Sequence, residues 1–266
     1  MYKAIDIHAH FGNPILFPQK GLEKEFLNID AKRLAKEYAD QNIIAGCFSD
    51  MQAIFSDDAS LIKKTNDAIA CTAEKYEYFY FWAVINPLRP ESFLNAEKLL
   101  KCEKCVGIKI HPSAGKYDIA DFGDEIFSFC DNNDAVLLTH TGDIGCTAQS
   151  FVPFADKYPN AKLILAHLGY SFTGALDLQV NAVKASKSDN IYIDCSSAKS
   201  LLNNLIEWAA NEIGPDKILF GTDAPLHNIA MMKQRIEYAD LNQKDKEDIL
   251  CMNALKLFKD KFKIEV

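Results

Sequence analysis

Eight short apolar runs recur along the 266-residue chain, and five of them end in a side chain that can bind a metal ion. Runs of four to eight residues that are rich in β-branched residues and bounded by turn residues are typical of strands covered on both faces. They predict strands at 3–10, 43–49, 79–86, 106–111, 135–140, 162–167, 190–195 and 217–222. Five of the six histidines lie at the ends of these runs, which suggests a fold that gathers distant residues around one point.

Helical patterns lie between the predicted strands. Asp30 is a typical N-cap, and Leu34 and Tyr38 follow it on one helical face. The predicted helices are 30–39, 60–76, 90–101, 124–132, 150–157, 173–185, 198–213, 229–238 and, closing the chain, 243–261. Eight strand–helix alternations without a break in composition predict a single (β/α)8 barrel, an α/β fold, over residues 1–266 with a C-terminal helix.

An open, doubly wound sheet is the structural alternative to the barrel. Such a sheet normally has fewer strands, and no GxGxxG motif follows the first predicted strand. The longest early loop, 13–28, follows that strand and can cover a site at its end. We therefore expect the barrel, with its site at the carboxyl ends of the strands.

Composition limits the partners and the location. An apolar content of 48% supports a large buried core, and a net charge of −8 offers no basic stripe for nucleic acid. The chain has no uninterrupted apolar run of about 18 residues and leads directly into a strand, so we expect no membrane span, no signal peptide and a cytoplasmic location. Cys102 and Cys105 form a CxxC pair without a second pair, which favours reduced thiols over a zinc site.

The first strand carries the densest group of candidate ligands. His8 and His10 are two residues apart, so they lie on the same side of a strand and can hold one metal ion. Asp6 lies two residues before His8, so strict alternation along the strand places it on the same side as the two histidines. It either orients one of these histidines or lies lower in the barrel as a satisfied polar group. The strand-end aspartate, Asp223, can bind the metal, activate its water or cap the next helix.

The order of these motifs resembles the amidohydrolase superfamily. The motifs are the His-x-His of the first strand, a histidine after the fifth and the sixth strands (His140, His167) and Gly-Thr-Asp-Ala-Pro at 221–225. The chain is most similar to the branch that contains amidohydrolase-related hydrolases and aminocarboxymuconate semialdehyde decarboxylase. The resemblance implies a divalent metal, one zinc ion with a second one open, whose ligands are His8, His10, His140 and Asp223.

The same resemblance implies roles for further residues near the metal. His167 is expected to act as an acid or base rather than as a ligand of a second metal, and Asp223 is expected also to accept a proton from water. Lys109 either bridges two metals in carboxylated form, holds a substrate carboxylate or pairs with Asp6. His111 is expected to contact substrate or to transfer protons. Apart from the resemblance, Arg89, after the third strand, either clamps a substrate carboxylate or is a surface or helix-start residue.

These expectations define a leading function and its competitors. The leading interpretation is a metal-dependent hydrolase, in which zinc-activated water attacks an amide, lactone or ester of a small molecule. The alternative is a nonoxidative decarboxylase or hydratase acting on a small carboxylic acid. A TatD-type nuclease is opposed by the acidic balance and by Lys109 and His111 where that type has a glutamate, and the intact ligand set opposes a non-enzymatic scaffold. A homodimer is left open.

Overall fold

Eight parallel strands form the centre of the molecule. The structure is a computed structural model that describes residues 2–11, 27 and 29–264. The strands pair in the order in which they occur in the chain. Their bounds are β1 Ala4–Phe11, β2 Ile43–Asp50, β3 Phe79–Val84, β4 Cys105–Ile110, β5 Val136–Thr139, β6 Lys162–Leu165, β7 Ile191–Asp194 and β8 Ile218–Leu219. All seven pairings between neighbouring strands are parallel.

The sheet closes on itself through the residues that follow β8. The backbone N–H of Ile7 donates to the carbonyl of Phe220 at 3.0 Å, and that of His10 donates to the carbonyl of Ala224 at 2.7 Å. Between these bonds, the N–H of Asp223 donates to the carbonyl of His8 at 2.7 Å. The predicted (β/α)8 barrel is therefore confirmed, and its closing seam joins the two segments that carry three of the four predicted metal ligands.

Helices cover the outside of the barrel. The longer ones are Ala31–Asp40, Ala59–Ala73, Glu91–Leu99, Ile119–Asn132, Ala148–Lys157, Leu178–Ala185, Leu205–Ile213 and Ile229–Glu237. Short helices are Met51–Phe55, Pro112–Gly115 and Gln243–Glu247. No helix in the described part of the chain is both long enough and apolar enough to cross a membrane. The predicted loop 13–28 lies outside the described residues apart from residue 27.

Four predicted helices differ clearly from those observed. The one predicted from 124 begins earlier, at Ile119, the one predicted from 173 begins only at Leu178, and the one predicted over 198–213 is divided by Asn204. Asn204 has a φ of 66°, a left-handed conformation that an α-helix cannot contain. The C-terminal helix is present, but a π-helical segment, Asp248–Met252, interrupts it before Asn253–Phe258.

The C-terminal segment closes the amino-terminal end of the barrel. A cluster of buried residues from inside the barrel, including Ile5 and Ile7, continues into Phe258 and Phe262. The ring of Phe258 lies 5.7 Å from that of Trp82. Because this end is filled by apolar side chains, it excludes water, and polar chemistry is left to the opposite end of the barrel.

A β-bulge in β1 changes which side chains point inward. The pairing of β1 with β2 advances from Asp6 opposite Gly46 to Ala9 opposite Phe48, so β1 contains one extra residue. Ile7 belongs to the cluster inside the barrel, whereas Asp6 contacts the outer helix Ala31–Asp40 through Tyr38. The prediction that Asp6 shares the side of the two histidines was therefore wrong, because the extra residue interrupts strict alternation.

The cysteines form no disulfide. All eight lie in the described part of the chain and are free thiols. Cys105 is buried, and burial raises the pKa of its thiol to about 12. Cys102 and Cys105 belong to neither of the groups of potential metal ligands among the described residues.

Candidate metal centre and active site

Three of the four predicted metal ligands lie together at the carboxyl ends of β1 and β8. The Oδ1 atom of Asp223 is 3.0 Å from Nε2 of His10 and 3.6 Å from Nε2 of His8. The ligand atoms of all three buried residues lie within 4.8 Å of one another. Two imidazoles and a carboxylate suit zinc, and imidazole also suits other transition metals. The donor set therefore fits a divalent metal ion.

Each of the two histidines has a partner for its other ring nitrogen. Nδ1 of His8 is 2.8 Å from Oδ2 of Asp194, and Nδ1 of His10 is 2.9 Å from Oγ of Ser49. Partners of this kind fix the orientation of metal-binding imidazoles. They leave Nε2 of both rings directed at Asp223.

Left-handed backbone turns position Asp223 and His167. Their φ angles are 56° and 73°, which residues with a Cβ rarely adopt. The strands predicted to reach 167 and 222 accordingly end earlier, at Leu165 and Leu219. Strained conformations of this kind persist where the surroundings hold them, and they cluster at functional sites. These two residues lie just beyond the strands rather than within them.

Electrostatics keep Asp223 ionised. Burial alone would raise the pKa of its carboxyl group, but the hydrogen bond from His10 and the electrostatic influence of the His167 and His8 rings hold that pKa well below its usual range. Burial and the Lys109 ammonium lower the pKa of His8 well below 6.5. The site therefore presents a carboxylate and a neutral imidazole, the forms that bind a cation.

Lys109 is a buried cation beside these residues. Its Nζ atom lies 2.8 Å from Nε2 of His8, and 1% of the residue is exposed. Burial lowers the pKa of Lys109 to about 8, against the opposing effects of Asp223 and Asp194. Near pH 7 the side chain is therefore still mainly charged. Its partner is His8 rather than Asp6, so the predicted pairing with Asp6 is not observed.

Asp6 is a satisfied buried group that joins β1 to the segment after β8. Its carboxyl group accepts hydrogen bonds from the Tyr38 hydroxyl at 2.6 Å and from the backbone N–H of Thr222 at 3.0 Å. The Thr222 hydroxyl and the N–H of His8 donate to it as well. Asp6 thus contacts neither imidazole ring, and its effect on the site passes through the backbone of His8 and Thr222.

His140 and His111 lie together at one side of the site. Their rings are stacked with centroids 3.9 Å apart, and the ring of His140 lies 4.9 Å from that of His167. Nε2 of His140 is 2.9 Å from Oδ2 of Asp143. Nδ1 of His111 accepts a hydrogen bond from the N–H of Ala114 at 3.2 Å. The structure therefore places His140 near the site but not within the group formed by His8, His10 and Asp223.

His167 belongs to a second polar group with His8. Oγ of Ser196 is 2.8 Å from Nδ1 of His167 and 3.1 Å from Nδ1 of His8. The backbone N–H of His167 donates to Oδ1 of Asp194 at 2.9 Å. The ligand atoms of His8, His167 and Asp194 also lie within 4.8 Å of one another. Because the Ser196 hydroxyl contacts all three of them, we describe this group as a hydrogen-bond network.

Arg89 lies away from this group. Its guanidinium donates hydrogen bonds to the backbone carbonyls of Asp57 and Leu88. No contact joins it to the histidines in the part of the chain that the structure describes. Local backbone acceptors in the loops hold the guanidinium, and its role as a carboxylate clamp stays a prediction.

Four further residues complete the site. Asp194 and Ser196, at the end of β7 and just beyond it, both contact the histidines of the site. Asp143 accepts from His140 and, at 2.9 Å, from the Tyr170 hydroxyl. Asp143 lies three residues after a predicted ligand, and that spacing was the available signal. Tyr170 has no comparable signal, because its contact depends on how two loops meet.

The fold and the histidine–aspartate group define the class of protein. It is a (β/α)8 barrel with a candidate metal centre at the carboxyl ends of its strands. A family model described as amidohydrolase matches residues 5–259. The chain therefore belongs to the amidohydrolase family, as its motifs suggested.

Decarboxylases occur among the similar proteins. γ-Resorcylate decarboxylase of Polaromonas sp. (strain JS666 / ATCC BAA-500) is 31% identical over 119 residues, which cover 39% of this chain and 36% of that enzyme. The match thus spans about a third of the relative's length. Two solved structures show the same fold. A 2,6-dihydroxybenzoate decarboxylase from Rhizobium has a TM-score of 0.79 at 18% identity, with 97% of this chain and 99% of that chain covered.

The second structure contains a metal ion. It is a dihydroxybenzoic acid decarboxylase from Polaromonas sp. JS666 with bound manganese and the inhibitor 2-nitroresorcinol. Its TM-score is 0.78 at 19% identity, and the alignment covers 99% of this chain and 100% of that chain.

Proposed function

We propose that this chain is a metal-dependent decarboxylase of a small aromatic or unsaturated carboxylic acid. The observation that carries the proposal is the buried Lys109 cation, which lies 2.8 Å from His8 within the candidate metal site. A buried cation beside a metal centre is suited to a substrate carboxylate, because the charge is desolvated and no carboxylate among the described residues is in direct contact with it. Hydrolysis, the leading interpretation from the sequence, is the weaker proposal because the similar proteins reported above are decarboxylases.

In the proposed reaction the bond between a substrate carbon and its carboxylate breaks. The bonding electron pair stays on the substrate carbon, which takes up one proton, and CO2 leaves. His8, His10 and Asp223 would hold the divalent metal, with His140 a proposed fourth ligand after it releases Asp143. When bound, the ion supplies positive charge that stabilises charge developing on substrate oxygens.

The remaining residues would bind the acid and move the proton. Lys109 holds the substrate carboxylate, and the adjacent stacked ring of His111 lines the same side of the site. His167 is the proposed proton carrier, because burial lowers its pKa to about 4 and a proton placed on it is readily passed on. The Asp223 carboxylate stays ionised and serves the metal.

The test is direct assay of the purified chain with 2,6-dihydroxybenzoate and 5-carboxyvanillate, in separate samples loaded with Mn²⁺ or Zn²⁺. We expect equimolar CO2 and the corresponding decarboxylated phenol. His167→Asn should lose at least about 100-fold in kcat, in the range of general acid–base contributions. His227→Asn is the matched control, since that histidine lines a different cavity, and it should retain activity.

Two outcomes oppose the proposal. The first is hydrolysis of amides, lactones or esters by the same preparation without CO2 release from any acid tested. The second is CO2 release that persists unchanged in both His167→Asn and Lys109→Met.

A further inference from the structure

Ser196 connects two histidines that the proposed reaction uses in different ways. Its Oγ atom lies 2.8 Å from Nδ1 of His167 and 3.1 Å from Nδ1 of His8, and the residue is fully buried. Its hydroxyl also donates to Oδ1 of Asp194. A serine hydroxyl has one proton and two lone pairs, so these contacts constrain where every other proton in the network lies.

The position of the proton on His8 follows from its two neighbours. An ionised carboxylate only accepts hydrogen bonds, so Nδ1 of His8 must donate to Oδ2 of Asp194 at 2.8 Å. The other ring nitrogen, Nε2, then carries a lone pair. Lys109, whose ammonium only donates, lies 2.8 Å from that same atom, which agrees with the assignment.

The position of the proton on His167 follows in turn. Because the Ser196 proton is directed at Asp194, the Ser196 oxygen is left to accept from Nδ1–H of His167. Oδ1 of Asp194 also accepts the backbone N–H of His167 at 2.9 Å, so one carboxylate holds both the backbone of His167 and the serine that orients its ring. Neutral His167 therefore has its lone pair on Nε2.

We propose that Ser196, held by Asp194, is a positioning residue that fixes His167 as the Nδ1–H tautomer and so makes Nε2 the atom that receives and returns the proton. The role of that proton rests on the proposed function, whereas the tautomer does not. When Nε2 takes a proton, the hydrogen-bond chain from Nδ1–H through Ser196 to Asp194 stabilises the resulting charge. Without Ser196, Nδ1–H would lose its acceptor and the ring could carry its proton on either nitrogen.

The tautomer can be measured without any substrate. The full chain is labelled with ¹⁵N-histidine, loaded with diamagnetic Zn²⁺ and examined by long-range ¹H–¹⁵N correlation near pH 7, with His167→Asn identifying the His167 signals. We expect a protonated Nδ1 and an unprotonated Nε2 in His167. The opposite tautomer in the wild-type chain overturns the proposal, and His167→Asn serves only to assign the signals.

Substitution at position 196 tests the cause. In Ser196→Ala the His167 signals should shift towards a mixture of tautomers while Nδ1 of His8 stays protonated, because Asp194 is retained. Ser196→Thr keeps the hydroxyl and should restore the wild-type signals. An Ser196→Ala spectrum in which His167 is unchanged contradicts the proposal.

Measuring the activity of the same variants gives a separate test of the role of Ser196. We expect kcat to fall about 10- to 100-fold in Ser196→Ala with KM little changed, the range typical of residues that orient a site histidine. Recovery in Ser196→Thr supports positioning by the hydroxyl, and an unchanged kcat in Ser196→Ala contradicts it. If no acid is decarboxylated by the wild-type chain, the proposed function fails while the spectra still decide the tautomer.

Discussion

Trp82 is predicted to support the β1 bulge that brings His8 into the barrel. Its side chain is fully buried, and its Nε1–H donates to the carbonyl of Ile7 at 2.9 Å. Ile7 lies in the bulged part of β1, where ladder pairing is interrupted. Replacing Trp82 with Phe keeps an apolar ring but removes this donor, so the effect of the hydrogen bond can be separated from that of aromaticity.

The cost of Trp82→Phe has two parts. A buried carbonyl that loses its partner costs about 1–3 kcal/mol. The smaller ring also leaves space beside Phe258, which adds part of the roughly 3–5 kcal/mol of a full truncation of Trp to Ala. We expect a total loss of about 2–4 kcal/mol in the free energy of unfolding, or a drop in Tm of roughly 5–15 °C for a chain of this size.

Urea unfolding followed by far-ultraviolet circular dichroism measures this loss. Trp208→Phe is the matched control, because Trp208 is the other tryptophan, is partly exposed and has an indole N–H that donates no hydrogen bond within the described residues. We also expect weaker binding of Zn²⁺ in Trp82→Phe than in the control, since the bulge positions His8. A loss of stability no larger than that of Trp208→Phe would refute the reasoning.

Three further predictions concern the metal, the closed end of the barrel and one surface ion pair. Elemental analysis should find one divalent ion per chain, lost on chelation and in His10→Ala; two ions per chain would contradict the one-metal arrangement. Phe258→Ala should lower the free energy of unfolding in urea by about 3–5 kcal/mol, whereas Phe172→Ala, at a side chain 54% exposed, should change it by less than about 0.5 kcal/mol. Burial opposes ionisation of Glu207, but hydrogen bonds from Arg235 outweigh it and lower its pKa below 4.5. Glu207→Gln should therefore cost about 1–3 kcal/mol at pH 7, and this difference should shrink as acid protonates Glu207 in the folded wild-type chain; a constant difference down to pH 3 would contradict it.

The barrel could be predicted from the sequence because its strands are continuous apolar runs. All eight predicted strands are present, with ends that differ by one to three residues. The largest differences lie at β3, β6 and β8, and at β6 and β8 the predicted ends include His167 and Thr222. Hydrophobicity records which residues are buried, but it does not record the left-handed turns at His167 and Asp223 that end the ladder. The sequence therefore indicated which residues reach the site but not where the strands stop.

The alternation of side chains along a strand predicted the group of metal ligands only in part. His8 and His10 lie beyond the bulge and keep a common side, whereas Asp6 lies before it and contacts the outer helix. The extra residue depends on pairing with β2 and on the indole of Trp82, which are contacts between distant parts of the chain. The bond between His8 and Asp194 spans 186 residues and likewise has no local signal. The metal-binding residues at the strand ends could thus be predicted from the sequence, whereas the residues that hydrogen-bond to them could not.

Lys109 and His111 are two residues apart, so strand alternation predicts that they point to the same side, yet the two residues have different roles. Both were expected to face the site, but β4 ends at Ile110, so only Lys109 lies within the ladder. Pro112 has no N–H to continue the strand and is favoured at the first turn of a helix, so His111 becomes the N-cap of Pro112–Gly115. Its Nδ1 is then occupied by a backbone N–H, whereas Lys109 keeps its ammonium beside His8. A single proline thus accounts for the difference between a capping histidine and a buried cation, and that cation supports the proposal that the substrate is an acid.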